Sequence, residues 1–167
     1  GFNVSDVHKL SNGGMLPVIW SVACVNGKFV HTNECFGEAW LRQANGGAVA
    51  MECASTNESW VPPCDKQSAT VNAMINGQFF TFGALEAAGC IRALETWGDS
   101  NSSEGNKLAE QCILFGDCTL LVRSKKPQTI TVNANRGLDN NAIIQVTGSE
   151  RDLNHVIVTI HNEDLSY

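Results

Sequence analysis

Two short apolar runs separated by a helical stretch constrain the fold more than any other feature of this sequence. Residues 16–23 (LPVIWSVA) and 48–54 (AVAMECA) are almost wholly apolar, and the first run is rich in β-branched residues. Runs of this length and composition indicate strands buried on both faces, as in a parallel sheet. The intervening residues 34–44 (ECFGEAWLRQA) indicate a helix, which Asn45-Gly46-Gly47 ends. The order strand, helix, strand predicts a layered α/β domain.

The residues that follow extend this α/β pattern. A loop is predicted over residues 55–63, ended by Pro62-Pro63, and a long helical region over residues 69–97, interrupted near Gly77. A helix over residues 105–115 and a strand over residues 119–123 complete the pattern, and a short helix over residues 4–10 precedes it.

The pattern changes after residue 125. Short alternating stretches lie at residues 129–132, 142–146 and 156–160, separated by Asn, Gly and Asp turns. This spacing is typical of a β-sandwich, although three strands are too few to close one. We therefore expect two domains: an α/β domain over residues 1–125, and a partial β domain over residues 126–167 that is truncated or completed by another chain.

Composition and charge exclude several classes of function. The chain has 167 residues, of which 43% are hydrophobic and only 17% charged, and its net charge is -6. An acidic chain with few charges is a poor electrostatic match for nucleic acid or an anionic membrane surface. No apolar run approaches the roughly 18 residues that a membrane-spanning helix needs.

The seven cysteines are the chemically informative residues. Open α/β sheets bind ligands at the carboxyl ends of their strands. Cys24 stands at the end of the first predicted strand, and the loop 55–60 follows the second. A thiol there is either an activated nucleophile or a small buried hydrophobic residue. The other six could form up to three disulfides in an oxidising compartment, with Cys64 near the same loop a candidate to stay reduced. They are Cys35, Cys53, Cys64, Cys90, Cys112 and Cys118.

A nucleophilic thiol needs a base, and the histidines offer no clear one. His31 is the nearest to Cys24 in sequence, but exposed loop histidines are common and no partner is evident that would orient it. His8 is expected to face solvent, and His155 and His161 fall in the β segment. The carboxylates of Glu34, Glu38 and Glu86 are expected to be solvated or to cap helices. The cysteines lack the paired spacing of a zinc site, so we expect neither a metal nor a cofactor.

Three segments carry a family resemblance. The runs LPVIWSVACVNGKF, ECFGEAWLR and GGAVAMECASTNESW resemble the gingipain family of caspase-like cysteine peptidases. The later run FGDCTLLVR is similar to the family's F-G-D-P-S-L-L-V-R, with Cys118 in place of the proline. The resemblance covers most of residues 1–123 and continues loosely into the immunoglobulin-like domain of those enzymes.

The resemblance implies a fold and a set of site residues. The fold would be that of caspases and haemoglobinases: a layered α/β sheet with flanking helices, followed by a partial immunoglobulin-like β-sandwich. Cys24 matches the nucleophile, with its own N–H in the oxyanion hole, and Trp60 matches the aromatic wall of the P1 pocket. Cys64 falls where arginine-specific members have methionine. The pocket-lining segment matches Asn57, Glu58 and Ser59.

Three Asn-x-Ser sequons begin at Asn3, Asn57 and Asn101 and weakly favour a secreted glycoprotein. A glycan on Asn57 would crowd the cleft that the resemblance implies. Asn3 and Asn101 are therefore the expected glycosylation sites.

The family's general base lies in a His-Gly motif upstream of the cysteine, and no His-Gly occurs in this sequence. The resemblance therefore implies the C-terminal half of a peptidase domain, a secreted or cell-surface cysteine endopeptidase with a basic P1 preference. The His and the P1-selecting acid would come from the N-terminal part of the peptidase, in the same precursor or on a separate chain. The alternative is a catalytically inactive relative that serves as a surface, binding or assembly protein.

Overall fold

The computed structural model describes residues 1–30, 33–123, 129–136 and 142–148. The chain divides into two compact units, Gly1–Ser124 and Lys125–Tyr167. His31, His155, His161 and the strand predicted over residues 156–160 lie outside the described residues.

The first unit is a mixed α/β structure, as predicted. Its elements are, in order, α1 (Val4–Val7), β1 (Val18–Trp20), α2 (Phe36–Arg42), β2 (Ala50–Ala54), α3 (Pro62–Ile75), α4 (Phe82–Trp97), α5 (Glu104–Gln111) and β3 (Cys112–Phe115). The three strands form one sheet in the order β1-β2-β3. β1 runs parallel to β2, which confirms the predicted parallel pair, whereas β3 runs antiparallel to β2.

β2 is the centre of this unit. All five of its residues are buried, and each of its edges pairs with another strand. Val18 lies opposite Ala50 on the β1 side, and Met51 lies opposite Phe115 on the β3 side. An element paired at both edges is a rigid base for the loop that follows it.

The long helices α3 and α4 contact the sheet through individual side chains. Thr81 begins α4, because its Oγ1 accepts a hydrogen bond from the Ala84 N–H at 3.3 Å. The next residue, Phe82, is fully buried and lies 5.9 Å, centroid to centroid, from the Trp20 ring of β1. The predicted interruption near Gly77 is confirmed, since α3 ends at Ile75 and Gly77 has a φ of 66°.

Pro62-Pro63 begins a helix instead of ending a loop. The two prolines occupy the first positions of α3, so the prediction of a loop to residue 63 and a helix from residue 69 was wrong. Proline is suited to the first turn of a helix, because its fixed φ is helical and the N–H it lacks would have no partner there.

Three strand predictions need correction. Residues 112–115 were expected to continue a helix but form β3, because their backbone groups pair with β2. Residues 119–123 do not form a strand and make only one bridge, between Leu121 and Thr81. The first apolar run forms a strand of three residues, each only partly buried, because the described residues pair it at one edge alone and Pro17 lacks an N–H to extend the ladder.

The described part of the second unit is a hairpin. β4 (Thr131–Arg136) and β5 (Ala142–Thr147) pair antiparallel, with Thr131 opposite Thr147. These strands agree with the two predicted over residues 129–132 and 142–146. Among the described helices, none is long and apolar enough to cross a membrane.

Candidate active site

Cys24 lies exposed in the turn that follows β1. The next residue, Val25, has a φ of 57°, which a β-branched residue rarely adopts. Two backbone hydrogen bonds hold this strained turn: the Val25 N–H donates to Thr56 O at 3.0 Å, and the Gly27 N–H donates to Ala54 O at 2.8 Å. A strained backbone persists only when its surroundings fix it, and such positions cluster at functional sites.

Gly27 allows the turn to pack directly on the sheet. A Cβ at this position would lie 3.1 Å from Cys53 O and 3.2 Å from the Phe115 ring. The glycine of the Cys-Val-Asn-Gly run therefore serves close approach to β2 and β3, which fixes the height of Cys24 above the sheet.

Glu58 brackets the Cys24 sulfur with its backbone. The Glu58 N–H donates to Sγ at 3.4 Å, and Sγ lies 3.8 Å from Glu58 O. The Cys24 N–H itself meets no acceptor among the described residues. The Glu58 N–H can stabilise a thiolate at the sulfur, and the Cys24 N–H beside it is available to a developing oxyanion.

The Glu58 side chain reaches toward the interior. Its Oε2 is buried and has no hydrogen-bond partner in the described part of the chain. Burial, the largest cause, and the charges of Glu52 and Glu86 together raise the pKa of Glu58 to about 7, and the charge of Lys66 opposes them. A carboxyl group of this kind changes its charge near neutral pH.

A buried ion cluster lies on the far side of Glu58. The Lys66 Nζ of α3 contacts Glu52 Oε1 of β2 at 3.2 Å and also contacts Glu86 Oε1 of α4. Burial disfavours the ammonium, but the two carboxylates outweigh it and raise the pKa of Lys66 above its usual value. The prediction that Glu86 is solvated or caps a helix was wrong, since its side chain is 7% exposed. The cluster ties the helix that follows the pocket segment to the central strand.

Three side chains of metal-ligating types, two carboxylates and one thiol, meet at the cluster. One ligand atom each from Glu52, Glu86 and Cys112 lie within 4.8 Å of one another. The Lys66 ammonium already pairs with both carboxylates, so it supplies the positive charge that this group of carboxylates requires. Sequence reasoning missed the cluster, although a glutamate inside the apolar run AVAMECA was a signal of a buried partner.

The other predicted substrate-binding residues follow Glu58 or precede it on one segment. Asn57 is exposed, the Ser59 hydroxyl hydrogen-bonds to the Glu104 carboxylate of α5, and Trp60 is 93% exposed. The exposed Cys64 donates from Sγ to Trp60 O at 3.4 Å. Of these residues, Glu58 is the one that contacts Cys24 in the described structure. A cavity of about 270 Å³ adjoins the segment and is lined by Asn57, Glu58, Ser59, Glu104, Lys107, Leu108 and Gln111.

The described part of the chain brings no imidazole to Cys24. His8 Nε2 lies 2.8 Å from Glu34 Oε2, and His8 Nδ1 lies 3.4 Å from Gln43 Oε1. Glu34 Oε1 also lies 3.7 Å from Arg42 Nε, so Glu34 is an ion-pair partner. Glu38 accepts from the Cys35 N–H at 2.8 Å and caps α2, as expected.

All seven cysteines are free, so the expectation of up to three disulfides is not met in this structure. Burial raises the pKa of Cys53 to about 12 and also raises the pKa of Cys35. A hydrogen bond with Cys90, and to a lesser extent burial, raises the pKa of Cys112. Cys112 was predicted to lie on a helix but is the first residue of β3. These thiols are therefore poor nucleophiles, in contrast to the exposed Cys24, Cys64 and Cys118.

Curated relatives are similar in sequence to this protein across most of the chain. Gingipain R2 of Porphyromonas gingivalis is 31% identical over 170 residues, which span 97% of this chain and 22% of that protein. Gingipain R1 of Porphyromonas gingivalis is 33% identical over 141 residues, which span 80% of this chain and 14% of that protein. The chain thus spans about a fifth or less of the length of these relatives.

Solved structures share the fold. The crystal structure of the Arg-specific cysteine proteinase gingipain R matches with a TM-score of 0.72 and 29% identity, over 82% of this chain and 33% of that chain. The complex of Porphyromonas gingivalis RgpB pro- and mature domains matches with a TM-score of 0.73 and 30% identity over the same shares. Residues 1–123 match peptidase family C25. The chain is therefore a member of peptidase family C25, in agreement with the resemblance of its sequence motifs to the gingipains.

Proposed function

We propose that this chain is the nucleophile-bearing segment of a cysteine endopeptidase, with Cys24 as the catalytic residue. The observation that carries the proposal is the exposed Cys24 thiol on a strained turn, with the Glu58 N–H directed at its sulfur at 3.4 Å. Membership of family C25 supports the same reaction class.

In the proposed reaction, the Cys24 thiolate attacks the carbonyl carbon of the scissile peptide bond. The C–S bond forms as the carbonyl oxygen becomes an oxyanion, and the Cys24 N–H, which meets no acceptor in the described part of the chain, donates to that oxygen. A histidine from outside this chain takes the thiol proton and returns it to the leaving amine, which leaves an acyl-enzyme for water to hydrolyse. His8 is not that base, because both of its ring nitrogens contact other residues.

The proposed specificity is for a basic P1 side chain. Trp60 would pack against the aliphatic part of such a side chain, a role that its 93% exposure supports. Asn57, Glu58, Ser59 and Cys64 would line the same cleft. The description of a solved relative as an Arg-specific proteinase supports this preference.

The proposed partner is the N-terminal part of the same peptidase, in one precursor or as a separate chain. β1 pairs only with β2 among the described residues, and unpaired strand edges are usually covered in native proteins. A groove of about 460 Å³ runs along this edge and is lined by Leu16, Pro17, Val18, Trp20, Val49, Met74, Leu120, Leu121, Val122 and Arg123. The N-terminal part would complete a caspase-like layered sheet there, and it would bring the His and the P1-selecting acid.

Two further proposals concern the rest of the chain and its location. Residues 126–167 would begin an immunoglobulin-like domain, which the β4–β5 hairpin supports. The protein would be secreted or at the cell surface, with glycans on the exposed Asn3 and Asn101.

Active-site labelling tests the proposal. The chain, prepared together with the N-terminal part of its peptidase, is treated with a chloromethyl ketone that carries arginine at P1 and then digested for mass spectrometry. We expect the label on Cys24, loss of the label in Cys24→Ser, and an unchanged label in the control Cys118→Ser. Slower reaction of a leucine-P1 reagent would support the basic preference, and absence of label on Cys24 would overturn the proposed function in favour of an inactive binding protein.

A further inference from the structure

The backbone of Glu58 contacts the nucleophile. Its side-chain carboxyl group interacts electrostatically with the buried ion cluster of Lys66, Glu52 and Glu86. We propose that Glu58 is a positioning residue for Cys24, and that its side chain holds the Glu58 N–H against the Cys24 sulfur only while the carboxyl group is protonated. The inference rests on the proposed function, because it assigns a control on the same nucleophile.

The segment around Glu58 is held at two points, one on each side of that residue. Thr56 O accepts from the Val25 N–H at 3.0 Å, which ties the segment to the nucleophile turn. The Ser59 hydroxyl hydrogen-bonds to the Glu104 carboxylate, which ties the other end to α5. Glu58 lies between these anchors, so the position of its N–H depends on where its own side chain rests.

The resting place of that side chain suits a neutral acid. Glu58 Oε2 is buried and has no donor among the described residues. A buried ionised oxygen without a donor is strongly destabilised, whereas a protonated carboxyl group is tolerated there.

The charges around the carboxyl group act in the same direction. Glu52 of β2 and Glu86 of α4 oppose ionisation of Glu58, and Lys66 of α3 favours it. The cluster sets two acidic side chains against one cation, because Lys66 pairs with both glutamates. The other titratable side chains at the segment are Glu104 and Lys107 of α5 in the cavity, the Cys53 thiol of β2, and Cys24 itself.

Ionisation of Glu58 therefore moves its side chain toward water. The pKa of about 7 places this change near neutral pH. With Thr56 and Ser59 held, the displacement is taken up at Glu58, and the N–H leaves the sulfur. Without this donor the Cys24 thiolate is less stabilised, so a smaller fraction of Cys24 ionises and its alkylation slows relative to that of an exposed thiol outside the site.

Competitive alkylation measures this effect without any peptide cleavage. The full chain receives brief pulses of iodoacetamide between pH 6 and pH 8.5, and mass spectrometry gives the ratio of Cys24 to Cys118 modification. Cys118 is exposed and serves as the internal reference for thiol ionisation. Glu58→Gln keeps the shape of the side chain and removes its titration, and Glu95→Gln on α4 is the exposed control. Circular dichroism verifies that each variant is folded.

We expect the ratio in the wild-type chain and in Glu95→Gln to fall as pH rises through about 7. The expected fall is about tenfold, the lower end of the effect of losing one hydrogen bond to a charged group. In Glu58→Gln the ratio should stay level across the range. A level ratio in the wild-type chain, or the same fall in Glu58→Gln, would overturn the inference.

A parallel cleavage assay separates this result from the proposed function. The chain and the N-terminal part of its peptidase are tested together on an arginyl fluorogenic peptide. Cleavage with a level wild-type ratio would overturn the inference alone. A ratio that depends on Glu58, with no cleavage and no chloromethyl ketone label, would overturn the proposed peptidase and with it the catalytic meaning of the contact.

Discussion

Removal of the Lys66 charge is the perturbation that this fold should tolerate least. Lys66 Nζ contacts the carboxylates of Glu52 and Glu86, and the three side chains are only 4%, 5% and 7% exposed. In Lys66→Met, two buried carboxylates face each other without a cation. Removing one partner of a single buried ion pair costs about 3–5 kcal/mol. Because Lys66 serves two carboxylates, we expect the upper end, about 5 kcal/mol at pH 7.5.

The pH dependence of this loss follows from the same geometry. Burial already raises the pKa of Glu52, and without Lys66 the acid takes up a proton more readily. A folded-state pKa above the unfolded value means that the variant regains stability as pH falls from that pKa toward the unfolded one. The deficit of Lys66→Met should therefore be smaller at pH 5 than at pH 7.5.

Urea unfolding followed by tryptophan fluorescence at the two pH values measures the loss, and 5 kcal/mol corresponds to roughly 10–20 °C in Tm for a chain of this size. Lys107→Met is the matched control, since Lys107 pairs with Glu104 at 2.9 Å on the exposed face of α5. That exposed pair should be worth at most about 1 kcal/mol. The triple variant Lys66→Met, Glu52→Gln, Glu86→Gln should recover most of the stability. A loss below 1 kcal/mol for Lys66→Met, or no recovery in the triple variant, would refute the argument.

Two further outcomes are expected. Thr81→Ala removes the side-chain cap of α4 and should lower the free energy of unfolding by about 1 kcal/mol in urea titration, whereas Thr96→Ala, exposed on the same helix, should change it by less than half of that. An equal effect of both changes would contradict the cap. Burial is the main reason why the pKa of Cys53 is raised to about 12. Cys53 should therefore resist iodoacetamide at pH 8 in the folded chain, while the exposed Cys64 and Cys118 react. Alkylation of Cys53 at the rate of Cys118 would contradict its burial.

Local sequence patterns correctly predicted those elements whose structure depends mainly on neighbouring residues in the chain. Residues 50–54 of the run AVAMECA form β2 and are all buried, and Gly77 marked the end of a helix. The sequence also placed Cys24 after the first strand of a parallel pair, which is where the structure has it.

The elements that escaped prediction depend on distant partners. Residues 112–115 form a strand only because β2 presents an open edge to them. The pairing of Lys66 with Glu52 and Glu86 joins three separate elements, and no periodicity in one segment encodes it. The contact of Glu58 with Cys24 likewise requires the folded turn.

The order of strands in the sheet also sets a time order for folding. β3, the second partner of β2, follows it in the chain only after α3, α4 and α5. The Ser55 N–H, just after β2, likewise donates to Gln111 O, just before β3. Contacts between residues so far apart in the chain form slowly, because the intervening chain must first be ordered. The segment that positions Cys24 starts at this junction. The nucleophile should therefore acquire its surroundings late, after the helices have docked, so a thiol-reactive probe of Cys24 during refolding would report the final step of assembly.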